Sequence, residues 1–279
     1  MKQRPWHYTF AALAILAVFN IAGCEVFSRP NLDPNLDPNR GRFVFSLEGD
    51  SIIINGYLGD ARGRHITIPQ SIGGIPVTRI RSSAFLSRGI DSVYIPYGIT
   101  SIGQNAFWRN QLSKVYIPNS VTEIGLGAFT ENQLTEVTLP PRVIISLSAF
   151  NHNHLRSLYI PLKVEFGSSA FANNRLKHLY LADGFGDEIA SWAFASNRLE
   201  DVVIPPSVTT IHMMAFADNP LTRITIGADV KFIIPVNDPN VPSYSSFGHG
   251  FEEFYIASGR RAGTYVRTSA TSTDWRLLE

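Results

Sequence analysis

The sequence holds one cysteine in 279 residues, so no internal disulfide can staple a folded body. Charge of one sign is also missing. Lys and Arg number 24 against 23 Asp and Glu, a formal net charge of +1. That is far from the basic surplus on which nucleic-acid binding depends, so nucleic acid is not expected as a partner. The signatures of common chemistries are absent as well: no Gly-rich phosphate loop, no His-Glu-x-x-His and no Gly-x-Ser-x-Gly. Glu131, Glu136, Glu188, Glu200 and Asp201 are scattered without evident pairing. An enzyme needs convergent polar groups, and nothing here supplies them, so neither catalysis nor a cofactor is expected. Long apolar runs are lacking too, apart from one near the N-terminus.

That run extends from about Tyr8 to Ala22, behind Lys2 and Arg4. It falls short of the roughly 20 residues that span a bilayer, and reads as an export signal over residues 1–23. It closes on Ile21-Ala22-Gly23-Cys24. A cysteine directly after Ile-Ala-Gly resembles the lipobox of bacterial lipoproteins. The resemblance implies a diacylglycerol thioether on Cys24, cleavage before it, and a membrane partner reached through that lipid. Processing removes Lys2 and Arg4, leaving 22 basic against 23 acidic residues and a nearly neutral chain. Residues 24–42 then form the anchor and a tether. Asn-Leu-Asp-Pro occurs there twice in tandem, and Pro-rich polar sequence behaves as a semi-extended spacer.

The rest of the chain is ruled off by Ala-Phe: Phe85, Phe107, Phe129, Phe150, Phe171, Phe194 and Phe216, at intervals of 22, 22, 21, 21, 23 and 22 residues. A fixed period in the twenties marks a solenoid, whose repeats bury their apolar faces only against neighbours. In the unit from Leu112 to Phe129, Leu112, Val115 and Ile117 have the spacing of a short strand, with Lys114 and Tyr116 outward. Pro118 ends that strand, having no N–H to donate. Val121-Thr122-Glu123-Ile124 reads as a second extended segment, Gly125 as a tight bend, and Ala128-Phe129 as a short helical or 3₁₀ turn. The ring points inward, so the phenylalanines are expected to stack as one spine. Asn recurs three places after the Phe, at Asn110, Asn132, Asn153, Asn174, Asn197 and Asn219. An amide at that fixed phase is expected to be buried and to bridge successive coils through its donors and acceptor.

The units Asn-x-Leu-x-x-Val-x-Ile-Pro and Val-Thr-x-Ile-Gly-x-x-Ala-Phe, clearest from Asn110 to Phe129 and from Asn197 to Phe216, resemble the BspA-like, treponemal-type leucine-rich repeat family. Gly74-Ile75-Pro76-Val77-Thr78-Arg79-Ile80 is similar to the opening of such arrays. The match covers residues 64–227. It implies a leucine-rich-repeat β-solenoid or horseshoe with short parallel strands and short turns. Later copies decay: Leu179-Tyr180-Leu181-Ala182 lacks the proline.

A solenoid needs closed ends. Residues 43–63 read as an N-terminal cap, a β-hairpin turning at Glu48-Gly49-Asp50. Residues 228–279 read as a degenerate last repeat and a C-terminal cap. Ser246-Phe247 stands where Ala-Phe belongs, Phe254-Tyr255-Ile256-Ala257 reads as the last strand, and the segment from Gly263 to Trp275 seals the end. Asn237-Asp238-Pro239-Asn240 lacks the ligand spacing of a calcium loop and reads as a turn.

His152-Asn153-His154 has a metal-like spacing, but in the repeat frame Asn153 is structural and the histidines flank it, so no metal is expected. A surface is the better candidate. The central outward strand position reads Thr67, Tyr94, Tyr116, Thr138, Tyr159, Tyr180, Val203, Thr225; beside it run Ser92, Lys114, Glu136, Ser157, His178, Asp201 and Arg223. Tyr94, Tyr116, Tyr159 and Tyr180, with Lys114 and His178, form the expected ligand-binding face, since Tyr offers large area and a polar tip. The competing role for such rings is to stabilise the sheet by cross-strand packing. Trp108 and Arg109 make a second aromatic–cation pair on the turn side. The family resemblance implies a non-catalytic, membrane-anchored lipoprotein of the bacterial envelope, exposed at the surface, that binds an extracellular protein or cell-surface ligand in adhesion. The alternative is a structural envelope protein without a dedicated ligand.

Overall fold

Every 21 to 23 residues the chain completes one coil with two strands and one turn. A computed structural model describes residues 25–26, 42–58, 64–233, 245–248 and 250–278. The export segment, Cys24, the Pro-rich stretch and the turn at Asn237 lie outside the described residues. From the expected tether only Glu25–Val26 is described as a strand, and it pairs antiparallel with Val44 and Phe45.

The first arm of each coil is the strand that follows the core leucine. His65–Thr67, Ser92–Tyr94, Lys114–Tyr116, Glu136–Thr138, Ser157–Ile160, His178–Leu181, Asp201–Val203 and Arg223–Ile226 stack in sequence order. Registers are parallel and in phase: Thr67 lies opposite Tyr94, Tyr116 opposite Thr138, Tyr159 opposite Tyr180, and Val203 opposite Thr225. The second arm follows the proline turn. There Ser51–Tyr57, Ile75–Ile80, Ser101–Ile102, Glu123–Ile124, Ile144–Ile145 and Glu165–Phe166 form a continuous parallel ladder. The 21-residue repeats lose their residue in this arm. Val121-Thr122-Glu123-Ile124 shortens to Val143-Ile144-Ile145, and Val and Ile remain buried at both ends. Length is absorbed where the coil faces solvent, not where Phe and Asn sit.

The spine forms as the periodicity predicts. Phe85 and Phe107 stack with centroids 5.0 Å apart and planes 1° off parallel, and the stack continues at 5.2 to 5.8 Å through Phe216. Phe247 extends it at 5.0 Å from Phe216, in the degenerate final coil. The asparagines form a second continuous line beside it. Nδ2 of Asn132 donates to the carbonyls of Phe107 (2.9 Å) and Phe129 (3.1 Å), and its Oδ1 accepts from the N–H of Leu112 (3.1 Å). The same bridge recurs at Asn153, Asn174, Asn197 and Asn219. One buried side chain thus satisfies backbone groups from two successive coils, the condition for burying an amide.

Around each Phe the turn is not a continuous helix. Trp108 N–H bonds to Asn105 O and Ala106 N–H to Gly103 O, and residues two before and two after the Phe take the left-handed conformation, as at Asn105 (φ 54°) and Arg109 (φ 55°). That reversal turns the backbone N–H groups toward the next coil, so Phe107 N–H reaches Ala128 O at 2.8 Å. Gly125 is needed for close approach and not for a bend: a Cβ there would lie 2.6 Å from the Gln104 nitrogen of the preceding coil.

Both ends are closed. Phe43–Glu48 and Ser51–Tyr57 pair as the expected hairpin, and Phe43 meets Phe85 edge-on at 6.3 Å, ending the spine. At the other end the expected strand over Phe254-Tyr255-Ile256-Ala257 is instead the helix Phe251–Ala257. Phe247, Phe251 and Tyr255 recur every four residues, a helical spacing, and this lays their rings together across the open end, Phe251 meeting Phe247 edge-on at 4.9 Å. Gly263–Val266 then pairs antiparallel with Arg223–Ile226, and Arg276–Leu278 pairs with it in turn. Arg267 substitutes for a missing coil. In regular coils the core-leucine carbonyl accepts from the next coil, as Leu112 O does from Gln133 N–H; Leu221 O accepts instead from Arg267 Nε at 2.7 Å.

Candidate binding surface

Strand alternation sends Val115 and Leu158 inward and leaves the adjacent tyrosines outward. Tyr94, Tyr116, Tyr159 and Tyr180 are 53%, 59%, 60% and 61% exposed, so more than half of each residue meets solvent. The strands bearing Tyr94 and Tyr116 are neighbours, Thr138 follows, and Tyr159 and Tyr180 face each other in register. Among the described residues none of the four makes a ring contact or a side-chain hydrogen bond. The interior phenylalanines, by contrast, stack through the length of the array.

Lys114 pairs with Glu136 of the next coil at 3.0 Å, with both side chains 66% exposed. Such a pair contributes at most about 1 kcal/mol and leaves both groups accessible. His178 lies opposite Ser157 on the row beside Tyr180 and is exposed. Six residues singled out from the sequence therefore share one sheet face, spread along several coils and not gathered in a cleft. Cys24, the expected lipid site, lies outside the described residues.

On the turn side, the Arg109 guanidinium sits 4.9 Å over the Trp108 ring and bonds Glu131 at 2.8 Å. That hydrogen bond holds the Glu131 carboxyl below the usual carboxylate range. His152 is exposed in a left-handed turn, and His154 is half-buried, its pKa lowered by burial and then by Arg175. Asn153 between them is a member of the buried amide line. Among the described residues no group of three His, Cys, Asp or Glu side chains is placed to hold a metal.

One feature was not foreseen from the residues, a break in the second-arm ladder. Glu165–Phe166 has no strand partner in the coil that follows, and pairing restarts with Glu188–Ile189 on Thr210–His212. Phe166 stands where the coils on either side have Ile145 and Ile189, a phase at which the last coil has Phe232. It wedges against Phe185 and Phe194 at 5.8 and 5.4 Å, and the coil that follows is the 23-residue one. An open groove of about 510 Å³ results, bordered by Glu165, Asp187, Glu188 and His212, the last two paired at 3.2 Å.

Comparison with known proteins follows the same lines. The model of the BspA type leucine rich repeat region matches residues 60–177 and 164–235, in six copies. The chain belongs to the BspA type leucine-rich repeat family. No curated protein matches the sequence. Among solved structures it is similar to the pneumococcal vaccine antigen PcpA, at 18% identity and a TM-score of 0.49, over 71% of this chain and 66% of that one. It is also similar to a leucine-rich repeat protein of T. pallidum, at 24% identity and a TM-score of 0.45, over 61% of this chain and 72% of that one. A leucine-rich cell surface protein of Faecalibacterium prausnitzii matches at 17% identity and a TM-score of 0.31, over 74% and 96%.

Proposed function

We propose that this BspA type repeat protein is a non-catalytic binding protein of the bacterial cell surface, lipid-anchored at Cys24, that engages an extracellular macromolecule in adhesion through its first-arm sheet face. The observation that carries this reading is the row Tyr94, Tyr116, Tyr159 and Tyr180: largely exposed rings on a regular scaffold, with no partner among the described residues. Tyrosine brings contact area at low conformational cost, and a solenoid offers it as an extended surface. The family membership supports a surface role without naming a ligand, since folds do not specify function.

The test uses the full chain purified in mild detergent against extracellular-matrix and host-cell proteins. A variant with all four tyrosines changed to Ser runs beside it. Saturable binding that is lost in a folded variant is the expected result. Equal binding by both forms would move the site off this face, and binding by neither would favour the structural-envelope reading. The mass of the chain extracted from membranes tests the anchor independently: it should begin at Cys24 and carry a diacylglycerol.

A further inference from the structure

Beside the tyrosines lies a cluster of cations that the near-neutral composition conceals, with the exposed Glu200 and Asp201 following it in the last of its coils. The residue after each structural Asn reads Gln111, Gln133, His154, Arg175 and Arg198 in successive coils, then Pro220. The residue after each core Leu reads Ser113, Thr135, Arg156, Lys177, Glu200 and Thr222. Four permanent cations, Arg156, Arg175, Lys177 and Arg198, are therefore confined to three adjacent coils. All four are exposed. Among the described residues none has an ion pair or a side-chain hydrogen bond, although Arg79, Arg109 and Lys114 elsewhere each have an acidic partner.

The fold makes no demand for charge at these positions. Gln111 and Gln133 occupy the first row in equally regular coils. Thr135 occupies the second and donates its hydroxyl to Ser113 O at 3.2 Å. The coils are locked in phase, Arg175 N–H bonding Leu155 O at 3.0 Å, Arg198 N–H bonding Leu176 O at 2.9 Å, and Lys177 N–H bonding Arg156 O at 2.9 Å. Cations in each row therefore recur at the strand spacing of about 4.8 Å, close to the length of one pyranose unit. Arg156 precedes Tyr159, and Lys177 precedes Tyr180, by three residues, about 10 Å along an extended chain.

We propose that this patch binds a linear anionic polysaccharide, sulfated or rich in uronate, laid along the solenoid axis. Its sulfate or carboxylate groups meet Arg156, Lys177, Arg175 and Arg198, and the apolar faces of its sugars lie against Tyr159 and Tyr180. Guanidinium groups suit planar, bidentate recognition of such anions. Two rows locked in phase, each with cations in two adjacent coils, fit a polymer of regularly repeated charge better than a folded acidic protein. The inference rests on the surface-binding reading above and names a ligand class for that face.

The test is retention of the full chain, in mild detergent, on immobilised heparin and chondroitin sulfate, with neutral dextran as the blank. Its variant carries Arg156→Thr, Lys177→Thr, Arg175→Gln and Arg198→Gln, residues this chain already uses at the same phases. The wild type should bind both sulfated chains and lose affinity as salt is raised. The variant should bind at least ~10-fold more weakly with an unchanged melting temperature, since charge-assisted contacts are the strong ones. Failure of the wild type to bind either chain, or equal binding by the variant, would overturn the proposal. So would displacement by duplex DNA as effective as displacement by heparin, which would mark a generic polyanion effect. If tyrosine-dependent binding to a protein persists while heparin binding fails, only this inference falls; if both fail, the surface reading falls with it.

Discussion

The turn that carries Phe and Asn and the strand face that carries Tyr belong to the same coils, yet they vary differently. At the turn, Phe recurs from Phe85 to Phe216 and Asn from Asn110 to Asn219, and each is fully or almost fully buried. At the strand face the outward residue changes among Thr, Tyr and Val. The turn is constrained because each Asn binds backbone in two coils and each Phe has a ring on both sides. The strand face is held mainly through its backbone, with side-chain pairs such as Lys114–Glu136 and Thr225–Thr264 on it, so most of its side chains are free to serve something outside the molecule.

The largest break in this comparison should come from Phe129→Ala, which leaves a hole in the spine between Phe107 and Phe150. Removing a buried Phe costs about 3–5 kcal/mol. In a one-dimensional array the damage should be read first in the neighbouring coils, as amide exchange between residues 107 and 150 in advance of the ends.

Asn132→Ala should follow, at about 2 kcal/mol. It orphans the Leu112 N–H in a buried setting, at about 1–3 kcal/mol less whatever relaxation recovers, while Phe107 O and Phe129 O keep the amides of Asn110 and Asn153. Denaturant unfolding checks the figure.

A smaller effect belongs to the C-terminal cap. Glu252 is buried, accepts from the Ser245 hydroxyl and, at 3.0 Å, from Phe247 N–H. Burial raises its pKa in the folded state above the ordinary carboxylate value. The cap contribution of this group is therefore fully present below the unfolded pKa and is lost as pH rises through the folded one. Melting followed against pH should show the C-terminal coil weakening over that window, and Glu252→Gln should flatten the dependence. Smallest of all is Lys114→Ala, which breaks an exposed ion pair and should shift stability by about 0.5 kcal/mol or less in a thermal melt.

The period, the spine and the amide line were legible in the sequence because each is a fixed residue at a fixed phase with one physical explanation. The N-terminal hairpin was legible from alternation around Glu48-Gly49-Asp50. The C-terminal helix was not, because Phe254-Tyr255-Ile256-Ala257 in isolation has the composition of a strand. Its helical period appears only when Phe247, Phe251 and Tyr255 are taken together. Arg267 was missed since a lone Arg gives no sign that it will replace the backbone of an absent coil. Nor did Phe166 announce the ladder break: one larger ring at an Ile position matters only once Phe185 and Phe194 are known to lie against it. The tyrosine face was placed correctly in register by strand spacing alone, since parallel coils of nearly equal length leave no other register.

The measurement that tests the division of labour most directly sets two variants against each other in one unfolding experiment. One has Tyr94, Tyr116, Tyr159 and Tyr180 all changed to Ser; the other has only Asn132→Ala. Four substitutions on the strand face should keep a cooperative transition and the wild-type circular dichroism spectrum, losing less stability than the single change at the turn. If the tyrosine variant unfolds earlier than the asparagine variant, the exposed rings hold the sheet together and the face is not free for a ligand.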